Sequence, residues 1–218
     1  MRAAYERLTS ILSDPDECGM SALDCIYEIM ENEVQRRDSN ALARRLKEAK
    51  ICLPNARPDT IDFSIERGLD KNKIDALLTM RWMEEHQNII ITGAAGCGKT
   101  FLACALVNQA CIKGRTARVV RVPLLLNQMA ASHQIVETYF KKLKEMKTID
   151  LLVLDDWGIG QLDARSRQDL LEIINERYMY ASTIVTSVLP VNKWSEYIND
   201  TTYSDAILDR LVSVSHRV

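Results

Sequence analysis

Eight consecutive residues, Gly93-Ala94-Ala95-Gly96-Cys97-Gly98-Lys99-Thr100, fit the pattern G-x-x-x-x-G-K-[ST] in full. Each residue type answers a chemical need. Three glycines let the backbone wrap closely around phosphates without Cβ clashes. The loop N–H groups, and the positive end of a helix that follows, then face the anion. Lys99 brings an ammonium to the β- and γ-phosphates, and the Thr100 hydroxyl is a Mg²⁺ ligand. The candidate binding set is Gly93, Ala94, Ala95, Gly96, Cys97, Gly98, Lys99, Thr100 and the adjoining Phe101, with ATP and Mg²⁺ the expected cofactors. The bland alternative is a chance glycine-rich turn. An apolar run before it, a helical stretch after it and a second motif downstream argue against that.

The second motif is Leu151-Leu152-Val153-Leu154-Asp155-Asp156, an apolar run that ends in two acids. Asp155 suits the outer shell of a Mg²⁺ ion beside the phosphate loop, which pairs it with Thr100 as metal-site candidates. Asp156 is placed to orient or deprotonate an attacking water. Many NTPases of this kind carry Glu there. Asp is one methylene shorter, so slower turnover is expected. If the strand at residues 182–187 lies between the other two, Thr186 or Ser187 stands near the γ-phosphate. A strand-end turn before Pro190 explains both residues equally well. Arg210, in Asp205-Ala206-Ile207-Leu208-Asp209-Arg210-Leu211, can supply positive charge to a neighbouring subunit's γ-phosphate. A surface salt bridge to Asp209 or Asp205 is the plainer alternative.

These residues need a scaffold. Residues 1 to about 53 read as helical, and residues 20–50 contain no breaker. Asp14-Pro15-Asp16 marks a helix start or the turn before it. Pro54-Asn55-Ala56-Arg57-Pro58 reads as a linker, and a helix is expected around residues 71–85. From Asn88 short apolar runs alternate with helical stretches. Strands are expected at 89–91, 117–122, 151–154 and 183–186, helices at 99–113 and 166–178, and one or two helices over 124–146. That alternation predicts an α/β fold with a parallel sheet flanked by helices, preceded by an N-terminal helical segment.

Composition bounds the rest. The chain has 218 residues, 47% hydrophobic and 27% charged, with a formal net charge of -2. These values exclude a disordered chain, and any nucleic-acid binding must come from a local basic surface. No stretch is apolar over the ~18 residues of a membrane span. The N-terminus lacks a signal-peptide core, so a cytoplasmic location is expected. Six cysteines, at positions 18, 25, 52, 97, 104 and 111, form no CxxC pair, and His86, His133 and His216 are scattered. A structural zinc site is not expected, and reduced thiols are. Cys97, Cys104 and Cys111 recur at helical spacing and read as core residues on one helix face.

Beyond the loop, several stretches carry a family resemblance: Arg67-Gly68-Leu69-Asp70, Trp82-Met83-Glu84-Glu85-His86-Gln87-Asn88, Leu154-Asp155-Asp156-Trp157-Gly158 and Thr186-Ser187-Val188-Leu189-Pro190, together with the Arg210 segment. With them the chain resembles the IstB family of ATPase helpers of insertion-sequence transposition, and more distantly the DnaC helicase loaders. The resemblance implies an AAA+ P-loop fold, with residues 1–58 as a helical segment for partner docking or self-association and 59–218 as the ATPase core. It implies ATP bound between subunits of a homo-oligomer, with Arg210 as the finger and Ser187 at the sensor position. It also implies assembly on duplex DNA and a transposase partner. Family members run some tens of residues further, so a truncated C-terminal lid is expected here. Lys113, Arg115, Arg118, Arg121, Lys141, Lys142 and Lys144 are the candidate DNA contacts, against the alternative of a solvated helix face. A helicase loader, a small-molecule kinase with the same loop and a non-hydrolysing ATP-gated scaffold are the competing functions.

Overall fold

The apolar runs pair into one sheet. In the computed structural model, which describes Tyr5, Glu6, Thr9, Ser10 and residues 22–64 and 68–218, β1 (Asn88–Thr92), β2 (Ala117–Arg121), β3 (Leu151–Trp157), β4 (Ser182–Ser187) and β5 (Ser215–Arg217) form a sheet of order β2-β3-β4-β1-β5. Every pairing is parallel. The residues 14–16, Cys18 and Arg67 lie outside the described residues. Helices cover both faces, so the strands are buried on both sides and read as near-continuous apolar runs. Ile89, Ile90 and Ile91 of β1 are at most 3% exposed, and Leu151 through Leu154 of β3 are fully buried.

The chain divides into two compact units between Arg44 and Arg45. In the first, helix α1 (Ala22–Ala49) begins as one unbroken element, as its lack of breakers predicts. Its last turn, from Arg45, packs in the second unit, where Arg45 Nε donates to the Cys111 carbonyl at 3.0 Å. The expected boundary after residue 58 therefore falls earlier, inside the helix. Buried Ala49 and Ala56 attach residues 45–58 to the second unit.

Other boundaries differ for local reasons. The helix expected around 71–85 is two, α2 (Lys71–Leu78) and α3 (Arg81–Glu84), because Met80 takes a positive φ of 66° between them. The 124–146 stretch is also two, α5 (Val122–Ser132) and α6 (Val136–Thr148). Pro123 at the start of α5 has no N–H to lose there, so β2 stops at Arg121. The remaining helices are α4 (Lys99–Ile112), α7 (Ala164–Arg177), α8 (Trp194–Ile198) and α9 (Thr201–Val212). Asp70, Asp163 and Asp200 cap α2, α7 and α9 through their carboxylates. At the start of α4 stands Gly98, which has no side chain to offer, so the first-turn N–H groups of that helix are left for another acceptor.

Candidate nucleotide-binding site

The strand order places the chemistry. β4 lies between β1 and β3, so the carboxyl ends of all three converge where open α/β sheets bind ligands. The phosphate loop leaves the end of β1, and Gly93 N–H donates to the Ser187 carbonyl of β4 at 3.2 Å. Gly96 and Gly98 take φ of 79° and 98°, backbone states that suit glycine. A Cβ on Gly93 would stand 2.9 Å from Cys97 Sγ, so a larger residue there would have to push the Cys97 side chain aside.

Lys99 Nζ donates to the carbonyls of Gly93 and Ala94 at 2.9 and 2.8 Å. The ammonium thus sits over the loop mouth. Thr100 Oγ1 donates to Asp155 Oδ1 at 2.9 Å, across 55 residues of chain. Thr186 Oγ1 donates to the same oxygen. Asp155 is 4% exposed, and a carboxylate this buried needs such donors. These hard oxygen ligands, brought together by α4 and β3, fit a Mg²⁺ ion. The glycine cradle and the uncapped helix end fit a polyphosphate.

Asp156 takes a φ of 62°, in a break of the β3–β4 register between Leu154 and Trp157. The break turns its carboxylate away from the line of β3. Its N–H donates to Thr186 Oγ1 at 3.3 Å. Its Oδ2 accepts from Arg121 Nε at 2.6 Å, and among the described residues no hydrogen bond reaches Oδ1. Register supplies the cation: Arg121 ends β2 directly opposite Asp155. Arg121 is therefore paired with the acidic centre, although its side chain is 64% exposed.

Ser187 is buried, and its hydroxyl makes two backbone hydrogen bonds. It donates to the Trp157 carbonyl at 2.7 Å and accepts from Leu189 N–H at 3.0 Å. Thr186, not Ser187, touches the acidic centre. Gly158 follows with a φ of 92°, where a Cβ would stand 2.7 Å from Leu189.

Beside the loop lies a cavity of about 490 Å³ lined by Thr60, Ile61, Leu69, Phe101 and Val218 among others. Its size and apolar walls suit a nucleoside. The resemblance named Gly68 and Leu69 without a role. Residues 60–62 carry no motif and were invisible in the sequence.

Arg210 lies at the opposite end of the sheet. Asn88, the first residue of β1, holds the last turn of α9 by donating to the Arg210 and Leu211 carbonyls at 3.1 and 3.3 Å. β1 is five residues long, about 16 Å. That length separates Arg210 from the phosphate loop of its own chain. The guanidinium sits 5.7 Å from the Tyr178 ring centroid and donates to the Ala206 carbonyl at 2.7 Å. Among the described residues no ion pair joins it to Asp205 or Asp209.

The seven basic candidates do not form one patch. Arg118 pairs with Glu145, and Lys142 donates to the Gln128 carbonyl at 2.9 Å. Arg115 precedes β2 while Arg121 ends it. Lys141 and Lys144 are exposed one turn apart on α6.

A parallel sheet of order β2-β3-β4-β1-β5, with the phosphate loop after β1 and the acidic pair at the end of β3, is an AAA+ P-loop domain. Solved structures agree on the fold: the DnaC helicase loader matches 75% of this chain and 95% of its own, at 20% identity and a TM-score of 0.63. AMPPCP-bound DnaA from Aquifex aeolicus matches 76% of this chain and 50% of its own, at 21% identity and a TM-score of 0.63. Residues 1–218 match the family model described as IstB-like ATP binding protein, and the chain belongs to that family. Insertion sequence ATP-binding protein y4pL of Sinorhizobium fredii is 39% identical over 210 residues, 96% of this chain and 85% of the relative. The IS5376 ATP-binding protein of Geobacillus stearothermophilus is 28% identical, over 95% of this chain and 82% of its own length.

Proposed function

We propose that this protein hydrolyses ATP, assembles on duplex DNA as a homo-oligomer and helps a transposase capture its target. The observation that carries the reading is the Thr100–Asp155 hydrogen bond, which joins phosphate loop and acidic strand end into one centre. Lys99 exchanges its two loop carbonyls for phosphate oxygens, a charge-assisted contact. Thr100 and Asp155 would hold Mg²⁺, which would neutralise charge on the β- and γ-phosphates. Asp156 uses its free Oδ1 to orient water or take its proton. The cavity at Ile61, Leu69 and Phe101 takes the nucleoside.

Arg210 acts on a neighbour's nucleotide, because β1 separates it from its own loop. Lys141, Lys144 and Arg115 contact DNA phosphates, which gives salt-sensitive binding with little sequence preference. Residues 1–58 dock the partner or a second copy. The transposition part rests on relatives that are named for insertion sequences.

ATP turnover and nucleotide affinity, measured with and without duplex, test the reading. Lys99→Ala is expected to weaken ATP about 10- to 100-fold, the worth of a charged hydrogen-bond donor. Unchanged affinity sinks the loop assignment.

A further inference from the structure

Two thiols outside the nucleotide centre stand in contact. Cys52 Sγ and Cys104 Sγ are 3.6 Å apart, and both are free. Cys104 is fully buried on α4, four residues after Thr100 and so on the same helix face. Cys52 is exposed on the irregular segment that follows α1. A disulfide needs its sulfurs about 2.05 Å apart, so closure asks for roughly 1.5 Å of movement. The segment carrying Cys52 belongs to no helix or strand and can supply that movement while α4 stays still.

Cys52 also opens onto a cavity of about 290 Å³ whose lining includes Lys50, Arg118, Arg121 and Lys142. Arg118 and Arg121 are paired with Glu145, which also lines the cavity, and with Asp156, so Lys50 and Lys142 are the cations that draw an anionic reagent toward the one accessible thiol of the pair. An exposed thiol with a second thiol at its back is the arrangement of an attacking and a resolving cysteine.

We propose that Cys52 and Cys104 are a reversible oxidation site, closed into a disulfide by an anionic low-molecular-weight disulfide of the glutathione type. The Cys52 thiolate attacks one sulfur of the reagent, forming a mixed disulfide and releasing one thiol. The Cys104 thiolate then attacks the Cys52 sulfur, forming the protein disulfide and releasing the second thiol. Two electrons pass from the pair to the reagent, and two protons leave the cysteines. Burial, with Cys52 alongside, pushes the Cys104 thiol up to about 12, so Cys104 resolves and does not initiate. The bridge ties the segment after α1 to the helix that carries Thr100.

The test is intact mass and non-reducing peptide mapping of the full chain after treatment with oxidised glutathione. Expected is a loss of two hydrogens, a peptide linking Cys52 to Cys104, and reversal by dithiothreitol. Cys104→Ala is expected to retain a glutathione adduct on Cys52. Cys52→Ser, an exposed change that leaves the core intact, is expected to show neither link nor adduct at Cys104. Three results would overturn the proposal: a lasting adduct on Cys52 in the wild type, a link from either residue to another cysteine, or no reaction. The readout is covalent mass, so its outcome is independent of ATP or DNA binding.

Discussion

Three side chains at the loop and the acidic strand end divide the work. In the proposed function Lys99 meets phosphate and Asp156 serves the attacking water, while Asp155 gathers two hydroxyls. Asp156→Asn isolates the last role, because the amide keeps an acceptor for Arg121 and loses the charge. Nucleotide affinity is expected to hold while turnover falls about 10²-fold or more, the usual worth of a general base. Normal turnover in a stopped ATPase assay would show that another residue orients the water. The loop and the two acids were legible in sequence because each is a contiguous motif. The Arg121–Asp156 pair was not, because it joins residues 35 apart through strand register. Arg121 read as a DNA contact for that reason. The residues alone left Thr186 and Ser187 as equal candidates beside the phosphate; sequence does not show that Thr186 joins Asp155 while Ser187 bonds two backbone groups.

The elements succeed where pattern and packing agree. β1 and β3 were readable as apolar runs because both their faces are buried. β5 was not, since Ser215-His216-Arg217 has no strand composition and is held by backbone pairing to β1. The break at Met80 escaped notice because positive φ in a non-glycine residue leaves no mark in sequence. Caps are readable and carry a pH dependence. Asp163 accepts from Ser166 N–H at 2.7 Å, and that bond lowers its pKa. A carboxyl lowered on folding adds stability above its unfolded value and loses it as pH falls through the folded one. Asp163→Ala is therefore expected to lower the urea midpoint at pH 7. Its difference from wild type is expected to shrink below about pH 3.9, the ordinary aspartate value. An equal difference at both pH values would assign the effect to helix propensity instead of the charged cap.

At the scale of the molecule Arg210 stands away from the nucleotide centre of its own chain. Arg210 is carried by α9 at the amino end of β1, where Asn88 fixes it, while the loop leaves the carboxyl end. Arg210→Ala is expected to bind nucleotide normally and to lose turnover by on the order of 10³, the scale of a finger arginine. Mixing it with Lys99→Ala subunits is expected to restore activity, since one variant keeps the loop and the other the arginine. Full activity in Arg210→Ala alone removes the finger role.

The assembly itself is the central claim, and light-scattering mass tests it most directly. The chain is measured with a non-hydrolysable ATP analogue, with ADP and without nucleotide, each with and without duplex DNA. The account predicts a large complex with the analogue and duplex together, and small species with ADP or no nucleotide. A monomer under every condition, with the analogue bound, would contradict it.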